Sequence, residues 1–120
     1  MGETMQLSKN RNDIMKYHRC GASGFSLPVL SLDLCLNFEA NADSESCRDI
    51  IFSAFDHGVT HIDVANDYGP PHGSAEMRLG EMLKRDLYPY NDELIISTKA
   101  GYRNTECGLA HMVNGRVRNT

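Results

Sequence analysis

Short strand-like segments alternate with amphipathic helix-like segments along most of this chain, and this alternation constrains its fold more than any other feature. Residues 29–36 form an apolar run interrupted by one acid, whereas residues 44–57 and 74–87 carry apolar side chains at helical spacing. The β-branched run at 59–64 and the run at 93–99 predict two further strands. Strands that alternate with helices at this spacing form right-handed βαβ units, so the sequence predicts an α/β fold with a parallel sheet.

Local signals predict where these elements begin and end. Asp43 and Ser44 are candidates to cap the first helix, and Gly58 is a candidate to stop it. A glycine-bearing turn between two strand-like pieces in residues 15–28 predicts a β-hairpin ahead of the sheet. The apolar faces predicted for the two helices consist of Ile50, Ile51, Ala54 and Phe55 in the first and of Leu79, Met82, Leu83 and Leu87 in the second.

The composition excludes several classes of protein. The 120 residues include 12 Lys and Arg against 16 Asp and Glu, and this net charge of −4 argues against a nucleic-acid partner, which a basic face would bind. No apolar run approaches the ~20 residues that span a membrane, and the polar first thirty residues contain no secretory signal. We expect a cytoplasmic protein whose four cysteines are reduced, and their spacing predicts no metal site.

Unpatterned segments flank the α/β region. Residues 1–14 are predicted to be a mobile lead-in, residues 15–102 the folded domain, and residues 103–120 an irregular tail without apolar periodicity. Three parallel strands with two helices leave much of the sheet surface open. The pattern is therefore that of an unfinished fold.

Three polar side chains fall where the parallel strands are predicted to end, the edge at which such folds carry their function. Asp63 ends the second strand, Tyr68 lies in the loop after it, and Lys99 ends the third. An ammonium beside a phenol stabilises the phenolate and lowers its pKa from the usual ~10, which would make Tyr68 a general acid. The alternatives are an aspartate that caps a turn, a tyrosine packed on the rim and a solvated lysine. His61 alternates with Asp63 and is predicted to be packed.

Two strings of this sequence resemble the aldo-keto reductase family. The string H-I-D-V-A-N-D-Y-G-P-P-H-G-S-A-E at 61–76 is similar to the active-site segment of that family, and the five positions from Asp63 to Tyr68 match its aspartate-to-tyrosine spacing. The string D-E-L-I-I-S-T-K-A-G-Y at 92–102 resembles the strand that carries the family's catalytic lysine, at the place of Lys99. Both strings are most similar to the bacterial L-glyceraldehyde 3-phosphate reductase group, which is related to the β subunits of voltage-gated potassium channels.

This resemblance implies the N-terminal portion of a (β/α)8 TIM barrel, in which a bottom hairpin precedes β-α-β-α-β and residues 15–102 form a partial aldo-keto reductase domain. It also implies an oxidoreductase that uses NADPH to reduce a small aldehyde or ketone similar to glyceraldehyde 3-phosphate. Tyr68 would protonate the carbonyl oxygen and Lys99 would lower the pKa of Tyr68. Asp63 would pair with Lys99 and reach the nicotinamide ribose.

The chain departs from the family pattern at its first strand. Asp33 stands where glycine is usual, and Cys35 replaces a tryptophan that lines the nicotinamide end, so Cys35 is assigned to cofactor binding. The family's catalytic histidine and most of its cofactor-binding loops lie beyond the matched strings, and His111 is not an equivalent of that histidine. We therefore expect the 120 residues to be a truncated and inactive reductase.

Two alternatives to an enzyme stay open: a cofactor-binding regulatory subunit of the channel β type, and a non-functional gene remnant. The Pro70-Pro71 pair favours the reductase group. The expected partner is a small carbonyl compound, with neither nucleic acid nor membrane, and the sequence leaves the oligomeric state open.

The tail resembles the family in another reading frame. In the reductase group the segment after K-A-G-Y resembles M-W-P-G-P-Y-G-E-W-G-S-R-K. Back-translation of residues 106–118 with suitable third bases encodes M-W-P-G-P-Y-G-E-W-S-R-K when reading starts at the third base of the Glu106 codon. We expect that a net insertion or deletion between Tyr102 and Glu106 shifted the frame.

Overall fold

The computed structural model describes residues 6–100, 110–113 and 116–119, and its elements follow the predicted order through the α/β region. They are β1 (Tyr17–Arg19), β2 (Ser26–Pro28), β3 (Leu32–Asp33), α1 (Ser44–Asp56), β4 (His61–Asp63), α2 (Ser74–Arg85), a 3₁₀ helix (Tyr88–Glu93), β5 (Ile95–Ser97), β6 (Ala110–Val113) and β7 (Arg116–Asn119). Within these ranges, no helix is long and apolar enough to cross a membrane.

The strands of the α/β region form a hairpin and a parallel sheet. β1 and β2 pair antiparallel as predicted, with Tyr17 opposite Pro28. β3, β4 and β5 form a three-stranded parallel sheet in that spatial order, with Leu32 opposite Ile62 and Ile62 opposite Ile96. Because these strands run in one direction, their carboxyl ends lie along one edge of the sheet.

Helix α1 begins at a side-chain cap and buries one face in the core. The Asp43 carboxylate accepts a hydrogen bond of 2.9 Å from the backbone N–H of Ser46, which satisfies an amide that has no partner within the helix. The buried residues of α1 are Cys47, Ile51, Phe52 and Phe55. The prediction that Ile50 belongs to this face is wrong, since its side chain is 37% exposed. Adjacent helical positions lie ~100° apart, so a face centred on Ile51 turns Ile50 toward solvent.

The core combines the sheet with both helices. Its buried members are Leu34, Phe38, Cys47, Ile51, Phe52, Phe55, Ile62, Val64, Ala75, Leu79, Met82 and Leu87. Of the predicted apolar face of α2, Leu79 and Met82 are in this cluster and Leu83 packs against it, whereas Leu87 is buried but lies beyond the end of α2 at Arg85. Ile62 is buried while its neighbour Asp63 is only half-buried, as alternation along a strand requires.

The strands are shorter than predicted. Residues 29–36 were predicted to be a strand, but β3 comprises Leu32 and Asp33, and Leu36 is 74% exposed. β3 is an edge strand of its sheet, and such a strand extends only as far as its one neighbour, β4, pairs with it. The predicted third strand, 93–99, is likewise reduced to β5 because the 3₁₀ helix takes up Glu93.

The two flanking segments differ from their predictions where they are described. The side chain of Arg11, in the predicted lead-in, forms an ion pair of 2.6 Å with Glu93 and lies over the rings of Phe55 and Tyr90, at 5.3 Å and 5.1 Å. A guanidinium both pairs with carboxylates and stacks on aromatic rings, and these contacts link residues too far apart in sequence to be foreseen. Residues 6–14 are thus attached to the domain.

The tail contains the antiparallel pair β6–β7, with Ala110 opposite Asn119 and Val113 opposite Arg116, where an irregular segment was predicted. The overlooked signal is the Asn114-Gly115 dipeptide between two strand-like pieces, which is typical of a two-residue hairpin. The boundary predicted at residue 102 lies outside the described residues.

One apolar groove remains open beside β5. It has a volume of about 200 Å³ and is lined by Val64, Glu76, Leu79, Gly80, Leu83, Ile96 and Thr98. Ile96 is 39% exposed there. This open apolar side agrees with the prediction that three strands and two helices leave the sheet surface partly uncovered.

Helix α1 ends in a Schellman motif that requires glycine. The N–H of Val59 donates to the carbonyl of Ala54, and the N–H of Gly58 donates to that of Phe55, both at 3.0 Å. Gly58 has φ +89°, and a Cβ added there would lie 2.7 Å from the Cβ of Met15. Both the backbone conformation and the space therefore exclude a side chain.

We predict that Gly58→Ala lowers the free energy of unfolding by about 1–3 kcal/mol, the usual cost of a left-handed non-glycine residue. Urea denaturation measures this change. The matched control is Gly80→Ala in α2, where an added Cβ meets no atom within 4 Å. That variant should gain about 0.5–1 kcal/mol from helix propensity. Equal stability of the two variants would contradict the conclusion that position 58 requires glycine.

Candidate active site

The carboxyl edge of the parallel sheet brings the three predicted side chains together. Asp63 is the last residue of β4, and Lys99 follows the end of β5 at Ser97. Lys99 Nζ lies 2.6 Å from Asp63 Oδ2 and 3.1 Å from the hydroxyl oxygen of Tyr68. The same ammonium lies 5.0 Å from the centroid of the Tyr68 ring. Lys99 therefore joins the carboxylate to the phenol.

Backbone hydrogen bonds continue past the ends of β4 and β5 and hold this cluster. The N–H of Val64 donates to the carbonyl of Ser97 at 2.9 Å, and the N–H of Asn66 donates to that of Lys99 at 3.2 Å. The segment that leads to Tyr68 thus runs alongside the segment that carries Lys99. The side chains meet because the two backbones remain paired.

The pair formed by Lys99 and Asp63 is partly buried, with side chains 34% and 24% exposed. Burial by itself would lower the pKa of Lys99 and raise that of Asp63, because it disfavours the charged forms. Hydrogen bonds and the attraction between the two charges outweigh burial. The pKa of Lys99 consequently lies above its usual value and the pKa of Asp63 below its usual value.

Tyr68 is held in its protonated form. Burial raises the pKa of Tyr68, the hydrogen bond from Lys99 lowers it, and the charge of Asp33 raises it again, so that the pKa lies above its usual value. The prediction that Lys99 gives Tyr68 a lowered pKa is wrong in its net direction, because burial and Asp33 outweigh the ammonium. At neutral pH the phenol carries its proton and can donate it.

Asp33 lies at the same edge, on β3, with its backbone opposite Asp63. Its Oδ2 is 3.3 Å from the hydroxyl oxygen of Tyr68, and its Oδ1 accepts a hydrogen bond of 2.8 Å from the backbone N–H of Cys35. The contact with Tyr68 is long for a hydroxyl–carboxylate hydrogen bond. Asp33, which stands where the family pattern has glycine, therefore faces the phenol of Tyr68.

Cys35 is an exposed free cysteine at this edge. A thiolate there would raise the pKa of Tyr68, so the thiol lies within electrostatic range of the phenol. The assignment of Cys35 to cofactor binding remains a prediction.

A polar chain behind Asp63 consists of three residues that were not predicted to belong to the site, Ser31, His61 and Ser97. The ring of His61 bonds the hydroxyl of Ser31 through Nδ1 at 2.7 Å and that of Ser97 through Nε2 at 2.8 Å. Ser97 in turn donates to Asp63 Oδ1 at 2.6 Å. Alternate residues of a strand lie on the same face, so His61 shares a face with Asp63 in β4. In the same way Ser97 shares a face with Lys99, and this spacing could have identified Ser97 as a neighbour of the site.

A further residue that was not predicted, Arg78 of α2, fixes the neighbouring loop. Its guanidinium donates to the carbonyls of Glu39, Ala40 and Ala42 at 3.0–3.1 Å. The N–H of Ala40 donates to the carbonyl of Pro70 at 3.0 Å, in the loop that carries Tyr68. Arg78 thereby connects α2 to the loop after β3, and that loop to the one after β4. The sequence signal was weak, because a helix arginine is usually solvated.

The cluster can donate a proton but cannot carry out a redox reaction alone. The phenol of Tyr68 is an acid, Lys99 is a fixed cation beside it, and Asp63 holds Lys99. No amino-acid side chain supplies hydride, so reduction of a carbonyl at this edge requires a cofactor that does.

Comparisons with known proteins find a matching family, similar sequences and a similar fold. The profile of the Aldo/keto reductase family matches residues 36–118. Over 88 residues, 73% of this chain, the sequence is 57% identical to the L-glyceraldehyde 3-phosphate reductase of Escherichia coli (strain K12), of which it covers 25%. It is 31% identical over 106 residues to an Arabidopsis thaliana protein named "Probable voltage-gated potassium channel subunit beta", with coverage of 84% of this chain and 31% of that protein. The chain thus spans about a quarter to a third of the length of these relatives.

A solved structure shares the fold. A Pseudomonas aeruginosa protein described as an aldo-keto reductase matches 92% of this chain and 36% of its own chain, with a TM-score of 0.60 at 23% sequence identity. This likeness confirms the predicted fold class. The hairpin, the parallel strands and the two helices form the N-terminal portion of a TIM barrel.

The Lys99–Asp63 pair predicts a specific acid dependence of stability. The pKa of Asp63 in the folded chain lies below its unfolded value of ~3.9, so its stabilising effect is complete above about pH 4 and is lost as the pH falls through the folded-state pKa. Lys99→Met removes the ammonium that contributes most to this lowering, while the hydrogen bond from Ser97 to Asp63 remains. We expect this variant to be about 1 kcal/mol less stable than the parent at neutral pH, after allowance for solvent screening. As the pH falls below about 4, the variant should lose less stability than the parent does.

Urea denaturation at several pH values measures this difference. Lys84→Met, at an exposed position of α2, is the control and should keep the acid dependence of the parent. If Lys99→Met keeps it as well, the pair does not set the pKa of Asp63.

Proposed function

Because the chain belongs to the aldo/keto reductase family, we propose that it carries the proton-donating part of an active site that reduces aldehydes or ketones with NADPH. The observation that carries this proposal is the cluster in which Lys99 Nζ lies 2.6 Å from Asp63 and 3.1 Å from the hydroxyl of Tyr68.

The three side chains have separate roles in this proposal. Tyr68 transfers its phenolic proton to the carbonyl oxygen as the carbonyl carbon is reduced, and the product is an alcohol. Lys99 stays protonated and stabilises the phenolate that remains. Asp63 keeps the ammonium in place by accepting its hydrogen bond.

The cofactor supplies hydride when it is bound. The side chains at this edge fit a hydride-donating cofactor, since they provide a proton donor and a fixed cation but no reductant. Asp63 and Cys35 are the residues proposed to line the nicotinamide end. Asp63 already accepts from Ser97 and Lys99, and a carboxylate has about four lone-pair sites, so it can accept a ribose hydroxyl as well.

The substrate class follows from the E. coli relative, which is named L-glyceraldehyde 3-phosphate reductase. We propose a small phosphorylated or hydroxylated aldehyde for this chain. The 88 matched residues cover 25% of that relative, so we expect turnover to require the segments that the relative has outside the matched quarter. The cytoplasmic location and the absence of nucleic-acid and membrane partners stay predictions from the sequence.

A regulatory subunit that binds cofactor without turnover is the second candidate. The 31% identity to the Arabidopsis protein named as a channel β subunit favours it. The two candidates differ in one measurable property: both bind NADPH, but only the enzyme oxidises it when an aldehyde is added.

We predict that Tyr68→Phe reduces turnover by about 10²–10⁴-fold, the contribution of a positioned general acid, while NADPH binding persists. The assay follows NADPH absorbance with glyceraldehyde 3-phosphate, using a gene product that includes the complete barrel. Tyr88→Phe is the control, because that tyrosine is 72% exposed and lies in the 3₁₀ helix. Retained turnover in Tyr68→Phe refutes the proton-donor role. Binding of NADPH without any turnover in the parent favours the regulatory subunit.

The frameshift proposed for the tail has its own test in the nucleotide sequence. Continuation of the alternative frame from the Glu106 codon should encode further βα units, including a strand that ends in histidine. Early stop codons or the lack of any α/β pattern would exclude a frameshift and leave residues 103–120 as authentic protein.

A further inference from the structure

The hydroxyl of Tyr68 lies between an ammonium and a carboxylate. Lys99 Nζ is 3.1 Å from the hydroxyl oxygen, and Asp33 Oδ2 is 3.3 Å from it. The ammonium can only donate and the ionised carboxylate can only accept. The phenol must therefore accept from Lys99 and direct its own hydrogen toward Asp33.

Asp33 is oriented for this contact by the backbone N–H of Cys35. Its Oδ1 accepts the N–H of Cys35 at 2.8 Å, which leaves Oδ2 to face Tyr68. β3 supplies Asp33 at the carboxyl edge, in register with Asp63. The sheet and a local turn thus hold the carboxylate in place.

The charged groups around the phenol act in opposite directions. Lys99 favours the phenolate, but the ammonium is shared with Asp63, whose Oδ2 is closer to it than Tyr68 is. Asp33, and Cys35 when ionised, disfavour the phenolate. Removal of the Asp33 charge should leave Lys99 as the dominant neighbour of Tyr68.

We propose that Asp33 is a positioning residue that orients the hydroxyl hydrogen of Tyr68 and keeps the phenol protonated into the alkaline range. For the reaction, this inference rests on the proposed function. It means that Asp33 raises the upper pH limit of the proton-donating state. Once Tyr68 has given up its proton, the phenolate faces the Asp33 carboxylate, and this repulsion favours return of a proton from solvent.

The test is a titration of Tyr68 by tyrosinate absorbance, with the Tyr68→Phe spectrum subtracted so that the other tyrosines cancel. Asp33→Asn removes the charge and keeps an oxygen that can accept the N–H of Cys35. We expect about threefold to tenfold more tyrosinate from Tyr68 at a given pH, the effect of losing one nearby negative charge at a solvent-exposed edge. Asp49→Asn, which removes an exposed carboxylate from α1, should change nothing.

Asp33→Gly supplies a second variant, and circular dichroism at each pH defines the range in which the chain stays folded. A shift in both Asp33 variants but not in Asp49→Asn supports the proposal. It is overturned if Asp33→Asn leaves the titration unchanged, even when Asp33→Gly shifts it, because the charge is then not responsible.

These readouts separate the inference from the proposed function. The titration requires neither cofactor nor turnover, so a shift without any reductase activity in a gene product that includes the complete barrel would leave the effect of Asp33 on Tyr68 intact and refute the enzyme. Turnover without a shift would support the enzyme and overturn the proposed role of Asp33. In an active protein, the alkaline limb of the pH–rate profile should also move to lower pH in Asp33→Asn, because the acid form of Tyr68 is then lost earlier.

Discussion

The register of the parallel sheet is the constraint on which the rest of this structure depends. Asp33 lies opposite Asp63, and Asp63 lies opposite Ser97, across β3, β4 and β5. Alternate residues of a strand face opposite sides, so this register buries Ile62 in the core and leaves Asp63 on the face that Lys99 reaches. A slip of one residue in β4 would exchange the two faces. Burial of Ile62 therefore also keeps the carboxylate in place, and one set of strand pairings specifies both the core and the site.

The protonation of the site depends on how one ammonium is divided among several acceptors. Lys99 pairs with Asp63 and also donates to Tyr68, while Asp33 approaches the phenol from another direction. Two carboxylates and one ammonium give the cluster one formal negative charge before the phenol ionises. A phenolate would add a second, which is unfavourable at a partly buried site. With glycine in place of Asp33, as the family pattern has it, the same cluster would be neutral. The departure from the family pattern thus changes the charge that Tyr68 experiences.

The sequence was sufficient for features that follow from local periodicity and failed where distant segments meet. The alternation of strands and helices, together with the strand-end positions, correctly brought Asp63, Tyr68 and Lys99 to one edge. The contact between Asp33 and Tyr68 depends on which strands are neighbours and in what register, which spacing along one chain does not contain. The same holds for Arg11, whose partner Glu93 is 82 positions away. The face of α1 was misjudged because a rotation of one residue moves a helical stripe by ~100°.

The geometry around Tyr68 and the covering of the sheet differ in how much of the barrel each requires. Lys99, Asp63, Tyr68 and Asp33 all lie within the continuous described range 6–100, and Arg78 ties the loops beside them to α2. The geometry of the acid is thus complete without further strands. The groove beside β5, in contrast, leaves Ile96 exposed, and in a (β/α)8 barrel the next βα unit packs on this side of the sheet. Further barrel units would therefore cover this apolar surface and add stability, while the position of the Tyr68 phenol is already defined by three strands.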